Sequence, residues 1–259
     1  MINLYFVGTA GSGKSTLTGA FKAWMVNQGL DAITINLDPG AEGLPYTSEI
    51  DVREWISLPE VMDRYGLGPN GAQIVCADML AMKAPEIKGI MEEFDSDYAL
   101  IDTPGQVELF AYRDSSKAII DTFGRKNSLL AYLFDPFLSR EPSGFVSLFM
   151  LCTSIQFRIE LPFMPILSKS DMLDEEKCEK IVNWSRDFST LYDDLISSPS
   201  SMQLQNSIEI FKAMEVLDIQ RELIPTSSEN GTGMEDIYNI VQQMFFGGED
   251  LLDDRQPDE

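Results

Sequence analysis

Histidine is absent from this chain, so no imidazole can serve as a general base, complete a Ser/His/Asp triad or ligate zinc. Proton and charge work therefore falls to carboxylates, amides, lysine and metal ions. Positive charge is also scarce, with 19 Lys and Arg against 42 Asp and Glu and a formal charge of −23. That imbalance opposes nonspecific binding to phosphate backbones or anionic headgroups, so neither a nucleic acid nor a membrane is an expected partner. The three cysteines, Cys76, Cys152 and Cys178, are odd in number and far apart. They make no CxxC knuckle or disulfide framework and are expected as buried free thiols. No apolar run is long enough to span a bilayer, since Phe145 to Phe157 is broken by Ser147, Thr153, Ser154 and Gln156. Residues 2–7 are apolar but have no basic flank or cleavage site, so no signal peptide is read and a reducing cytoplasm is the expected location.

What is present is a composition that supports a packed core, 44% apolar over 259 residues. Short apolar runs alternate with amphipathic stretches, the pattern of βα units around a buried parallel sheet. Strands are expected at 2–7, 31–37, 97–102, 128–134, 162–167 and 222–226. Helices are expected at about 14–28, 71–94, 107–123, 143–158, 174–220 in pieces, and 233–246. Pro and Gly gather at 39–45, 66–71 and 104–105, where ligand loops of such a sheet lie.

The strongest motif is Gly8-Thr9-Ala10-Gly11-Ser12-Gly13-Lys14-Ser15, a G-x-x-x-x-G-K-[ST] between an apolar run and a helical pattern. Its glycines, Gly11 and Gly13 among them, let successive N–H groups, including those of Ser12 and Thr16, turn toward phosphate oxygens at a helix N-terminus. Lys14 is placed to bridge β and γ oxygens, and the Ser15 hydroxyl to bind Mg²⁺. Downstream, Tyr98 to Asp102 reads as a strand that ends in a carboxylate and turns through Thr103-Pro104-Gly105-Gln106. Asp102 is the candidate for the magnesium shell, the Gly105 N–H is expected to be free for a γ-phosphate, and the Gln106 amide can orient an attacking water.

Base recognition is expected at Ser168-Lys169-Ser170-Asp171, which resembles the guanine-reading N/T-K-x-D element. One Asp171 carboxylate can accept from both N1–H and the exocyclic amine of guanine, a donor pair adenine lacks. Lys169 is expected to lie along the base plane. Ser168 stands where Asn or Thr is usual, which removes a side-chain contact to the base and to the phosphate loop. In Thr226-Ser227-Ser228-Glu229 the Ser228 N–H is placed for the guanine O6, with Ser227 beside it.

The segment after the second strand carries Asn36-Leu37-Asp38-Pro39-Gly40, Tyr46, Asp51-Val52-Arg53-Glu54 and Gly66-Leu67-Gly68-Pro69-Asn70-Gly71. On spacing alone, Gly68-Pro69-Asn70 reads either as a rigid polar-tipped loop or as a turn in which Asn70 caps a helix starting near Gly71. Together with Gly8 to Ser15, Asp38, Asp102 to Gln106 and Lys169-x-Asp171 in this order, the chain resembles the GPN-loop GTPases over residues 1–246. The resemblance implies an α/β, three-layer P-loop NTPase fold with a mostly parallel sheet and helical insertions. It implies a single domain over 1–246, with a GPN-loop insertion at about 39–96, a helical insertion at about 174–220 and an acidic tail at 247–259. It also implies GTP and GDP as ligands with Mg²⁺, a constitutive homodimer, and a trans role for Asn70 and its neighbours Gly68 and Pro69 at the partner's phosphate site. Asp38 is implied near the attacking water or the magnesium, as a base or as an outer-shell ligand. Related dimeric NTPases with a deviant P-loop carry a signature Lys where this chain has Thr9, so the trans element must lie elsewhere. By the same resemblance, a protein client is suggested, because eukaryotic relatives are associated with RNA polymerase assembly.

Three functions remain open at this point. The first is GTP hydrolysis with Lys14, Asp38, Gln106 and Asn70 as catalytic groups, in a switch or assembly factor. The second is a nucleotide-gated client scaffold with little hydrolysis, using the apolar residues Leu191, Tyr192, Leu195, Ile196, Met202, Leu204, Ile208, Phe211, Met214 and Leu217. The third is an ATP-dependent small-molecule kinase, disfavoured by the scattered arginines.

Overall fold

The structure, a computed structural model, describes residues 1–197, 202–216 and 222–247. In chain order the elements are β1 (Ile2–Gly8), α1 (Lys14–Asn27), β2 (Ala32–Asn36), β3 (Ile50–Asp51), α2 (Leu58–Tyr65), α3 (Pro69–Met91) and β4 (Tyr98–Asp102). Then come α4 (Val107–Ala111), α5 (Asp114–Phe123), β5 (Ser128–Phe134), α6 (Pro136–Ser139), α7 (Pro142–Ile159) and β6 (Phe163–Leu167). The chain continues through α8 (Glu175–Arg186), α9 (Phe188–Ser197), α10 (Met202–Val216), β7 (Ile224–Pro225) and α11 (Met234–Phe246).

Seven strands form one sheet in the order β3-β2-β4-β1-β5-β6-β7, and every pairing is parallel. β1 sits in the middle and is buried along its whole length, which is why its sequence is almost unbrokenly apolar. Its side chains still divide by the period of two. Ile2, Leu4 and Phe6 pack with Leu17, Phe21, Ile237 and Val241 of α1 and α11. On the other face Tyr5 and Val7 join the core made with α3, α5 and α7. The result is three layers, the α/β P-loop NTPase arrangement expected from the sequence. Each fully buried Phe or Leu on these faces contributes about 1.5–3 kcal/mol of transfer free energy.

Several local expectations are corrected. The helix expected at 107–123 is two helices, because the chain is extended at Arg113. There Arg113 bonds Asp78 of α3 and the Tyr112 carbonyl accepts from Arg158 of α7, so long-range partners win over helical period. The strand expected at 222–226 shrinks to β7, since the Leu223 N–H is taken by the Ser185 hydroxyl. Three elements among the described residues were not anticipated: the two-residue edge strand β3, α2, which ends at Gly66 with φ of 61°, and the four-residue α6. The capping reading of Asn70 also fails. Pro69, whose fixed φ suits a first helical turn, opens α3, so Gly68 is the N-cap and Asn70 lies inside the helix.

Cys76 and Cys152 are buried free thiols, whereas Cys178 is only half-buried. Of the apolar residues in the helical insertion, Leu191, Leu195, Phe211 and Met214 pack into the main core, while Tyr192 and Ile196 are exposed. Leu217 and the acidic tail from residue 248 onward lie outside the described residues, and no helix among the described residues is long and apolar enough to cross a membrane.

Candidate nucleotide site

The loop between β1 and α1 depends on two glycines. Gly13 holds φ of 95° directly before the first residue of α1, a left-handed conformation that suits glycine. At Gly8 an added Cβ would come within 2.7 Å of Ser12 Oγ and 2.9 Å of the Leu133 carbonyl, so the loop can lie this close to β5 only without a side chain. Lys14 is 5% exposed. Its Nζ donates to the carbonyls of Gly8 (3.0 Å), Thr9 (3.1 Å) and Gly105 (3.5 Å). Burial holds this ammonium below the usual lysine range, partly offset by the charges of Asp102 and Asp38. Among the described residues the hydroxyls of Thr9 and Ser12 are buried without a hydrogen-bond partner, polar capacity suited to a ligand in the loop.

Asp102 ends β4, directly beside β1, and is 1% exposed. Desolvation lifts its carboxyl to about 6, against the lowering influence of the Ser15 and Tyr46 hydroxyls and of Lys14. Tyr46 donates to Asp102 Oδ2 at 3.0 Å, and the phenol is itself pushed well above its ordinary range by burial and by that carboxylate. Asp38, just beyond β2, accepts from the Gly40 N–H through Oδ1 (2.9 Å) and from the Gly105 N–H through Oδ2 (3.0 Å). The Gly105 amide, expected to be free, is thus engaged. Asn36 braces this corner, since its Oδ1 accepts from the Asp38 N–H and its Nδ2 donates to Asp51 and to the Asp38 carbonyl. Arg53 holds Asp51 in turn.

Two cavities flank the loop. One is lined by Ala10, Asp38, Gly105 and Gln106 together with Gln73 and apolar residues of α3, α4 and α5. The other is lined by Gly13, Thr16, Ser168, Lys169, Asp171, Thr226, Ser228 and Glu229. The structure therefore brings the expected phosphate and base residues to opposite sides of one loop. Gly11 lies exposed on its rim. Ser227 lies behind the second cavity, where its hydroxyl accepts from the Glu229 N–H and shapes the turn. Gly68, Pro69 and Asn70 are exposed and line neither cavity. Two residues to which the sequence reading assigned no role belong here as well, Tyr46 on Asp102 and Asp135 on Lys169. Asp135 directly follows β5, a strand end of the kind that carries ligand loops, and that position was its one sequence signal.

A family model described as "Conserved hypothetical ATP binding protein" matches residues 6–246. The GPN-loop GTPase PAB0955 of Pyrococcus abyssi is 34% identical over 248 residues, covering 93% of this chain and 96% of its own length. Its crystal structure, titled as a GTPase in apo form, superposes with a TM-score of 0.83 at 32% identity, over 93% of this chain and 96% of that one. The chain belongs to the GPN-loop GTPase family. GPN-loop GTPase 1 of Dictyostelium discoideum is 30% identical over 244 residues, covering 93% of this chain but 60% of the longer relative. Family membership fits the geometry, since the GPN tripeptide, Gly68 to Asn70, opens the exposed end of α3 whose next turn, at Gln73, reaches the first cavity.

Proposed function

We propose that this protein binds guanine nucleotide with Mg²⁺ and hydrolyses GTP by in-line attack of water on the γ-phosphate. The observation that carries the reading is that two groups of residues meet at one phosphate loop: Asp38 and Gly105, whose carbonyl accepts from Lys14, line one cavity, and Lys169 and Asp171 line the other. Asp171 favours guanine because adenine has no N1–H and amine pair to offer it. That chemistry outweighs the mention of ATP in the family description.

Mg²⁺ fits the residues present. Among the described residues Asp102 Oδ1 is buried without a hydrogen-bond partner, on a carboxylate whose charged form is disfavoured by burial until a cation compensates it. Ser15 and Asp102 would hold the ion, with Asp38 in its outer surroundings. When bound it neutralises charge on the phosphate oxygens. Lys14 leaves its loop carbonyls to pair with β and γ oxygens, and the Gly105 N–H turns to the γ-phosphate. Asp38 and Gln106 then orient the water. Catalysis of this kind is positioning and charge neutralisation, which the missing histidines do not impair.

The same reading includes a homodimer in which Asn70 reaches the partner's phosphate site. Its support is that Gly68, Pro69 and Asn70 are exposed and apart from their own chain's cavities. A client-holding role for the helical insertion is a further part of it, supported by exposed Tyr192 and Ile196 on α9. The test is a titration with GTP and ATP in the presence of Mg²⁺, combined with solution mass. GTP binding and phosphate release by a dimer, with selectivity transferred from GTP to xanthosine triphosphate by Asp171→Asn, is the expected result. Preference for ATP with transfer to a metabolite would replace the reading with a kinase.

A further inference from the structure

The base-reading loop of this chain has lost one of its usual tethers, and the geometry points to Asp135 as the residue that replaces it. Resting on the GTPase reading above, we propose that Asp135 is a positioning residue that fixes Lys169 across the phosphate loop and so sets nucleotide affinity.

Ser168 occupies the position where Asn or Thr is usual, and its hydroxyl is spent on the Phe134 carbonyl at 3.0 Å, within its own pair of strands. The side-chain link from this loop to the phosphate loop is carried instead by Lys169, whose Nζ donates to the Gly11 carbonyl at 2.5 Å. An ammonium on a flexible stem holds one geometry poorly unless a second partner fixes it. Asp135 is that partner: its Oδ2 accepts from Lys169 Nζ at 3.0 Å. The carboxylate is in turn immobilised, because Oδ1 accepts from the Phe137 N–H as the cap of α6. Its side chain is 13% exposed, against 31% for Lys169, so the pair is better shielded than a surface ion pair. Lys169 itself sits at φ of 51°, a backbone conformation that turns its stem back over Gly13. The stem thus lines the base cavity beside Gly13, while its two ends are tied to β6 and to Asp135.

The structure therefore divides the work of recognition. Asp171 chooses the base, and Asp135, through Lys169, holds the base loop and the phosphate loop at a fixed spacing. Loss of Asp135 should weaken every purine nucleotide that uses the site while leaving discrimination at Asp171 alone.

Asp135→Asn keeps an oxygen for the α6 cap and removes the charge. Binding of GDP, GTP and inosine triphosphate to the full chain is measured by titration. Expected is a loss of roughly five- to tenfold for all three, with the GTP to inosine triphosphate ratio unchanged. Asp135→Glu should recover part of the loss, and Asp114→Asn, which removes a charge from a side chain that is 97% exposed, should lose nothing. In a Lys169→Ala background the Asp135→Asn change should have no further effect, which a merely structural role for Asp135 would not produce. Unchanged affinity in Asp135→Asn, or an equal loss in the Lys169→Ala background, would overturn the inference. Failure of the wild-type chain to bind either guanine nucleotide would instead overturn the GTPase reading.

Discussion

The Asp38 carboxylate accepts the Gly105 N–H at 3.0 Å, joining the loop after β2 to the loop after β4. Both loops border one cavity, which the proposed function assigns to the γ-phosphate. On the proposed function, this carboxylate takes the donor that a γ-phosphate requires, so GTP would displace Asp38 while GDP would not. The displaced carboxylate is then close to the water that attacks. Asp38→Ala should therefore lower single-turnover GTP hydrolysis by about 10²-fold or more, with GDP affinity held near wild type. Equal losses of hydrolysis and GDP binding would remove the distinction drawn between the two nucleotides.

Tyr46 reaches Asp102 from the segment between β2 and β3, packing its ring over Gly19 of α1. Its hydroxyl orients the carboxylate through Oδ2, while Oδ1 is buried without a hydrogen-bond partner among the described residues. Tyr46→Phe keeps the ring and deletes the bond. A hydrogen bond to a charged group is worth about 1.5–3 kcal/mol, so the Mg²⁺ concentration for half-maximal hydrolysis should rise by roughly tenfold or more. The readout is a Mg²⁺ titration at saturating GTP. An unaltered midpoint would mean that Asp102 holds its orientation without the phenol.

Stability can be tested at the contact between α6 and α7. A Cβ at Gly144, in the first turn of α7, would stand 2.0 Å from the Leu138 carbonyl, a backbone atom at the end of α6. The approach of these two helices thus requires glycine. Gly144→Ala should cost about 1–3 kcal/mol through a forced backbone shift, seen as a fall of several degrees in Tm. Gly144 lines neither nucleotide cavity, so any loss of nucleotide affinity should pass through α6, whose cap is Asp135.

These partners differ in how far the sequence announces them. Gly8 to Ser15 is readable because its chemistry is local: the glycines, the lysine and the hydroxyl are neighbours, and the strand and helix around them have distinct periods. The unbroken burial of β1 and β5 is readable for a similar reason, as a parallel sheet covered on both faces leaves no polar side. The Asp38 to Gly105 bond joins residues 67 apart, and Tyr46 to Asp102 joins residues 56 apart, so each exists only because β2 and β4 pair in a particular register. Nothing in the sequence around Tyr46 states which carboxylate it meets. The same holds for β3, two residues long, whereas α2 does carry a helical period, with Leu58, Val61 and Met62 on one face and Gly66 at its end. Asn70 shows the opposite error. Its cap-forming chemistry was legible, yet the neighbouring Pro69 starts the helix two residues before Gly71 and leaves the amide exposed on the first turn.

That exposure makes the trans role of Asn70 open to a complementation test. Asn70→Ala alone should lower turnover at saturating GTP by roughly 10²-fold while GDP binding persists, as expected for a group used only in the transition state. The same loss would follow from a cis role, so the single variant does not separate the two. Mixing does. Lys14→Ala should disable the phosphate site of its own subunit but leave its Asn70 intact. In a heterodimer with Asn70→Ala, a trans geometry pairs that intact Asn70 with the intact Lys14 of the other subunit and rebuilds one working site. A cis geometry rebuilds none, because each subunit retains its own defect. Random exchange between equal amounts of the two variants in a two-fold dimer should therefore recover about a quarter of wild-type turnover. Recovery that appears on mixing, and scales with the fraction of heterodimer, requires Asn70 to act across the interface. Mixtures that remain as inactive as their components, with exchange verified by mass, would return Asn70 to its own chain.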